Sequence, residues 1–480
     1  MPVAWSKRCN FVAVLSGQLL TLQQKDKNDK FPRSIALNDN VAGSGKFLQW
    51  STCPNSTASS SSIGRTVIPE QEQQPQRVLC ATANQILVFD VDDETWSAEI
   101  NTGEKPNSTA AFAHLEFGSF ADEIIAISEY SSQLTIFSLS TGGQRIIKSL
   151  KCSDPAYYAF RPRSGHLATI LKADSGDVLS VHELRSYEVI RVSTIPTTDA
   201  KGLKWSPDGN WLAIWDAASA GTMVVIFTAD GQKFRTFEGS KDDDIDFGVK
   251  IIEWSPDSRI LALGKHDGTI ILLNGLTFTI MAILGDPMVQ PIERNVYTEQ
   301  ELGHGATEYM PAPESRLFPF TFNVPNENRV VSMISFNPSG TKIATIDKGL
   351  PQVVWMWSIQ GRDQRLIGAL VLRSPARQLH WNVQMPELLM VLSDDSDTAR
   401  IHQWIHGRVP RVASVSGVSG KFGASWVYTE KEDSGLFCVS GLNEYKMGCL
   451  VGTGQLAQFY EVMSSEAHHP SLCEDDFPTK

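Results

Sequence analysis

Nine aromatic residues each stand just before a turn and an apolar strand: Trp5, Trp50, Phe117, Phe160, Trp205, Trp254, Phe336, Trp381 and Trp426. Their successive spacings are 45, 67, 43, 45, 49, 82, 45 and 45 residues. The clearest copies read WSPDGNWLAIWD at 205–216, WSPDSRILALGK at 254–265 and FNPSGTKIATID at 336–347. An apolar unit that recurs at a fixed period stacks against its neighbours to bury its surface. The chain is therefore a repeat scaffold, and its function must lie on the surface that the repeats present.

The copy at 202–238 shows how one unit is built. GLKWS reads as a short strand, and Pro207-Asp208-Gly209 supplies a turn, with proline presetting φ and glycine accepting a positive one. WLAIWD follows as a second strand, apolar at nearly every position because it is covered on both faces. TMVVIFT (222–228) makes a third strand and Ala229-Asp230-Gly231 the next turn. KFRTFEG (233–239) alternates, as an outer strand with one wet face does. Four short strands at a period of about 40–45 residues are the pattern of WD40-type propeller blades.

The expected fold is thus all-β, a WD40-type β-propeller of nine blade-like units spanning 1–462. One ring is the leading arrangement, with eight closed blades or two rings as alternatives. The aromatic anchors are expected to pack between adjacent blades, where truncation to alanine costs about 3–5 kcal/mol. The turn signature is degraded in the copies at Trp5, Trp50 and Phe117. Trp215-Asp216 ends the second strand rather than the third, so it is not the usual WD dipeptide. Asp267, between His266 and Gly268, reads as a side chain that stabilises a turn.

The two long spacings hold insertions. Residues 54–76 are rich in Ser, Gln and Pro, cannot build a core and are expected to be disordered. Residues 285–328 carry prolines that argue against a hidden blade. They also carry Tyr297, Tyr309, Phe318, Phe320 and Phe322, which argue for an extended strap docked along the propeller. Residues 463–480 read as a flexible acidic tail.

Searches for chemistry come back almost empty. The net charge of −12 and the absence of a dense Lys/Arg cluster speak against a nucleic-acid partner. The seven cysteines are scattered without a CxxC pair, as in reduced intracellular thiols. Lys7 and Arg8 before FVAVLSGQLL resemble a signal peptide, but Trp5 places this stretch in the first repeat. No run approaches the ~18 apolar residues of a membrane span. GTGQLA (452–457) matches a dinucleotide fingerprint in letters but lies strand to strand, and Gly43-Ser44-Gly45-Lys46 lacks the rest of a P-loop. His468-His469 has no companion ligands nearby. No catalytic, cofactor or metal residues are expected. Asp242, Asp243, Asp244 and Asp246 form a solvated loop or, as the functional alternative, an acidic contact for a basic partner.

A narrower resemblance lies in 201–285 and 325–383. The runs KGLKWSPDGNWLAIWD, VVIFTADGQKFRTFEG and VKIIEWSPDSRILALGKHDGTIILLNGLTFTIMAILGD come in that order. They are followed by a proline-bearing connector, MISFNPSGTKIATIDKGLPQVVWMWSI and SPARQLHWN. Together they resemble the WD-repeat protein eight family of centrosomes and fungal spindle pole bodies. The displaced Trp-Asp before the HDG-type blade is similar too. The likeness is good over 150–390, weaker in the first three repeats and faint after 400. It implies a non-enzymatic scaffold of the cytoplasm and cytoskeleton that pairs with a coiled-coil microtubule-anchoring protein and helps hold microtubule minus ends at the pole. In fungi it also implies work with a minus-end-directed kinesin, and in animals a link to cilia. The family carries further residues before the first anchor, whereas here Met1 to Ala4 precede Trp5. Closure then relies on QLAQFYEV (455–462), or the chain begins too late. The competing reading is a cytosolic ribonucleoprotein or translation scaffold of the nine-bladed initiation factor 2A type. The acidic charge and lack of a basic extension count against it.

Overall fold

A computed structural model describes residues 3–5, 11–16, 19–24, 33–37, 47–51, 75–81, 85–101, 112–129, 132–239, 247–285, 295–303, 306–311, 329–361, 364–395, 398–418, 422–427, 435–441, 444–452 and 457–464. Its strands group into nine sheets, here blades 1 to 9, whose antiparallel meanders span 3–36, 47–101, 112–148, 158–194, 202–238, 249–284, 331–371, 376–415 and 423–464. Each blade is a four-stranded meander in sequence order, so its strands are termed inner, second, third and outer. The turns joining inner to second and third to outer strands all fall at one end of the blade. The other end carries the second-to-third turns and the passages between blades.

Burial follows from this order. The second strand of blade 6, Ile260–Lys265, is buried at every position because blades cover both of its faces. The outer strand of blade 4, Val189–Thr194, is exposed at nearly every one. Every neighbouring pair of blades shares an apolar cluster. The last of these joins Val12 and Val14 of blade 1 to Val427, Tyr445 and Met447 of blade 9, where the Tyr445 hydroxyl also donates to Gln23. The nine blades therefore close as one ring. The last strand runs to Ser464, past the boundary at 462 that the sequence suggested.

The anchors end the inner strands, and the tryptophans do more than fill space. Trp205 donates its indole N–H to the Ala159 carbonyl (3.1 Å), Trp254 to Lys204 (3.3 Å), Trp381 to Ser335 (3.1 Å) and Trp426 to His380 (2.9 Å). In every case the acceptor is the residue just before the anchor of the preceding blade. A buried indole N–H needs such a partner, so the repeat spacing is also a hydrogen-bond spacing. Phe336, which lacks the donor, is held by packing alone.

The turn after each clear anchor is tied by one side chain. The Ser206 hydroxyl accepts the Trp211 N–H (3.0 Å) and donates to Asp208 (2.5 Å), with Gly209 at φ 74°. Ser255 and Asp257 repeat this in blade 6. In blade 7 Asn337 does the same work by accepting the N–H groups of Thr341 and Lys342, both at 2.8 Å. Asp267 accepts both the N–H and the hydroxyl of Thr269, so it fixes a turn.

Blade 7 departs from the pattern. Val296–Gly303 pairs in parallel with its outer strand Arg365–Val371, and Ala306–Pro311 pairs antiparallel with Val296–Gly303, giving a six-stranded sheet. The expected extended strap is, over 296–311, a hairpin. Pro311 sits at the very end of the second hairpin strand, where it leaves the pairing intact, and Pro287 and Pro291 lie outside the described residues. Tyr297 and Tyr309 are buried. Phe318, Phe320, Phe322 and nearly all of 54–76 lie outside the described residues, as does 465–480.

Candidate functional site

Blades splay as they leave the ring axis, so the space between two outer strands must be filled or stay open. Between blades 4 and 5 it stays open. A groove of about 480 Å³ lies there at the end that carries the inner-to-second turns. Blade 4 contributes Arg161, His166, Val181 and Ile190; blade 5 contributes Asn210, Trp211 and Thr228–Asp230.

Its inner boundary is built by the seam itself. Trp205 reaches back to Ala159, and the Arg161 Nε donates to the Gly209 carbonyl (2.7 Å). A Cβ at Gly209 would meet the Pro162 carbonyl oxygen at 3.0 Å, so this turn needs glycine for contact as well as for φ. The outer boundary is the Ser193 hydroxyl donating to the Gly231 carbonyl (2.6 Å). A Cβ at Gly231 would meet Val181 at 3.0 Å and Arg191 at 3.3 Å. The two turn glycines of blade 5 thus let it approach blade 4 at both ends of the groove.

The walls are apolar and stiff. Ile190 is 50% exposed although it sits in a β-strand. Trp211 begins the second strand of blade 5, and its ring packs against Phe234 (4.7 Å between centroids) and edge-on against Phe278 (5.2 Å). Phe234 is also 50% exposed, so apolar surface continues from the groove across blade 5.

Charge is divided between the rims. Arg161 stands on the blade 4 side, where burial pulls its pKa down against the opposing pull of Asp208. Burial, helped by the Arg161 charge, pushes His166 below its ordinary value, so its ring is neutral at pH 7, with Nδ1 3.0 Å from the Ser164 hydroxyl. On the blade 5 side the Thr228 hydroxyl donates to Asp230 (2.5 Å) and holds its carboxyl below the usual range. The site is an apolar slot with a cation on one lip and an anion on the other.

Of the anchors singled out from sequence, Trp205 stands at the inner boundary of the groove, and none is among its lining residues. Trp50, Phe117, Trp205, Trp254, Phe336, Trp381 and Trp426 are buried, and Phe160 is half-buried. Trp5 ends the strand Val3–Trp5, opposite Val12. Asp242, Asp243, Asp244 and Asp246 lie outside the described residues, as do Gly43–Lys46 and His468-His469. Around GTGQLA, the strands Tyr445–Val451 and Gln458–Ser464 pair antiparallel, a strand-to-strand setting. Asp216 of the displaced Trp-Asp is fully buried and accepts the N–H groups of Thr198 and Asp199 (both 2.7 Å), which ties the passage between blades 4 and 5. Sequence reasoning missed Arg161, His166, Ile190 and Trp211. The one available signal was the outer strand VIRVST (189–194), whose solvent face carries Val and Ile.

Among the described residues no group of three His, Cys, Asp or Glu could hold a metal ion. Two hydroxyl–imidazole pairs invite a catalytic reading, Thr169 with His182 (3.2 Å) and Ser393 with His402 (2.7 Å). All four side chains are buried. The same geometry recurs in blade 7, where the Trp357 indole donates to Thr345 (3.0 Å). In each blade a second-strand hydroxyl meets the side chain two residues beyond its register partner on the third strand. These pairs are polar rungs inside blades, closed to substrate.

No protein-family model matches the chain. It is 25% identical over 321 residues to an uncharacterized WD repeat-containing protein of Schizosaccharomyces pombe, covering 66% of this chain and 64% of that one. It is 26% identical over 342 residues to WD repeat-containing protein WRAP73 of Mus musculus, covering 65% and 71%. The chain thus spans about two thirds of the length of these relatives. A chain in a crystal structure of the Mitotic Checkpoint Complex aligns with a TM-score of 0.38 at 13% identity, over 68% of this chain and 83% of that one, too little to carry an argument.

Proposed function

We propose that this chain, a diverged WD-repeat β-propeller protein and a protein-interaction scaffold, works at the microtubule-organising centre. There it grips a coiled-coil microtubule-anchoring protein and helps hold microtubule minus ends at the spindle pole, with a minus-end-directed kinesin as a further partner. The observation that carries the scaffold part is the closed ring, whose nine seams are each packed while the seam between blades 4 and 5 leaves an apolar, charge-lipped groove at the surface. Rigid surfaces bind without the ordering cost that mobile ones incur. The polar assignment is supported by the sequence likeness over 150–390 and by the two WD-repeat relatives.

Imaging of the tagged protein through mitosis, combined with affinity purification, tests this reading. Foci at the poles and recovery of a coiled-coil protein are expected, each lost when the other partner is depleted. A uniform cytoplasmic signal with no coiled-coil partner would overturn the polar assignment. Recovery of ribosomal subunits instead would favour the translation-scaffold reading, which shares the nine-bladed ring.

A further inference from the structure

We propose that the groove between blades 4 and 5 receives a short segment of a partner protein in which a large apolar side chain lies beside an acidic one. This deepens the scaffold reading and rests on it. The groove volume of about 480 Å³ falls in the range of clefts that enclose small ligands, about 300–1,000 Å³, and suits side chains rather than a whole domain. Ile190 faces it half in water, with Val181 beside it, while Trp211 lines its blade 5 edge and turns its ring toward blade 6 onto Phe234 and Phe278. An exposed aliphatic side chain on a rigid strand, beside a fixed cation, is a setting in which an apolar anchor gains from burial.

The acidic neighbour is read from Arg161. Its Nε is committed to the Gly209 carbonyl, which fixes the plane of the guanidinium. Among the described residues its two terminal nitrogens bond to nothing, and its ring contact is a distant one with Trp205 (5.9 Å). A guanidinium held this way presents a fork to a carboxylate at no further cost in ordering. His166 beside it is neutral, so it does not compete for the anion. Asp230 on the opposite lip repels a second carboxylate, which gives the segment a direction: acidic end over blade 4, neutral or basic end over blade 5. The chain as a whole carries −12, so this local cation stands against the overall field and selects by position.

Selection of a phage-displayed random peptide library on the full chain tests the proposal, followed by calorimetric titration of a synthetic peptide from the enriched pool. Enriched peptides should carry Asp or Glu beside Phe, Leu, Ile or Trp. Ile190→Asp should weaken the chosen peptide by about tenfold or more. Arg161→Gln should weaken it about as much, and Arg161→Lys should restore only part, because the fork is lost while the charge is kept. Val409→Asp, an exposed position on a blade 8 turn, should change nothing. Melting temperatures of all variants verify that the ring stays folded. Peptides indifferent to Ile190→Asp, or an enriched pool without acidic residues, would overturn the proposal. Pole foci that persist in Ile190→Asp cells would remove the groove while leaving the scaffold reading standing.

Discussion

The seam between blades 4 and 5 and the seam between blades 7 and 8 solve the same geometric problem in opposite ways. Both carry the indole-to-carbonyl bond at the inner strands, from Trp205 and from Trp381. Both then diverge. At the first seam the wedge stays open as a groove of about 480 Å³. At the second the chain fills it with its own hairpin, and Ala306–Pro311 lies against the outer strand Arg411–Val415 of blade 8. Filling a wedge with a polar hairpin requires partners for what it buries. Glu299 receives Arg400 from blade 8 (3.0 Å) and the backbone N–H of Arg373 (2.9 Å), and the Tyr309 hydroxyl meets His402 (2.8 Å). A wedge closed by the chain becomes core, whereas one left open becomes a site.

If that contrast is right, mutations at the two seams should differ most where charge is buried. Glu299→Ala removes the buried carboxylate that Arg400 bonds at 3.0 Å, and breaking such a pair from one side costs about 3–5 kcal/mol. A loss below about 1 kcal/mol in denaturant unfolding would mean that the hairpin is not held by this pair.

Acid offers a second way to separate the seams. His402 is fully buried, and burial pushes its pKa from 6.5 down to about 4. An unfolded chain takes up a proton there at higher pH than the folded one does. The stability from neutral His402 is therefore complete above about pH 6.5 and is lost as pH falls toward 4. The expected loss across that window is on the order of 3 kcal/mol. Hydrogen exchange should show it first at the hairpin and blade 8, and His402→Gln should flatten it. Burial lowers His166 and His182 of blade 4 in the same direction, so acid sensitivity there as large as at the hairpin would erase the contrast.

A third test probes what the seams share. Trp205→Phe and Trp381→Phe keep most of the packing but lose the bond to the preceding blade, and each should cost about 1 kcal/mol. Unequal losses would show that the ladder is not uniform. The smallest effect belongs to the open wedge: Ile190→Ser should move stability by less than about 0.5 kcal/mol, since the residue is half in water. A larger loss would mean that the groove is part of the core.

The period of the anchors was readable because each blade is a contiguous meander whose inner strands repeat one apolar pattern. That same locality explains Pro207-Asp208-Gly209 and Asp267, whose partners lie within a few residues. The hairpin at 296–311 escaped because a parallel partner such as Arg365–Val371 leaves no mark in nearby sequence. The groove escaped for a related reason. Arg161 and Gly209 meet across 48 residues, and Ser193 and Gly231 across 38, so no window of one blade contains the site. The degraded turns of the first three blades hid less, since spacing alone placed their strands.

Each bond of the indole ladder spans 46 or 50 residues, one blade's length of chain. The Tyr445–Gln23 contact between the last and first blades spans 422. Bringing the ends of the longer loop together costs about 2 kcal/mol more in chain entropy than closing one of 46 residues. Among the described residues no strand is exchanged between blades 9 and 1 to offset this. The ring should therefore assemble as a growing arc, blade upon blade, and shut last at this seam. By the same logic it breathes there first, and a nine-bladed circle behaves kinetically as a clasped bracelet.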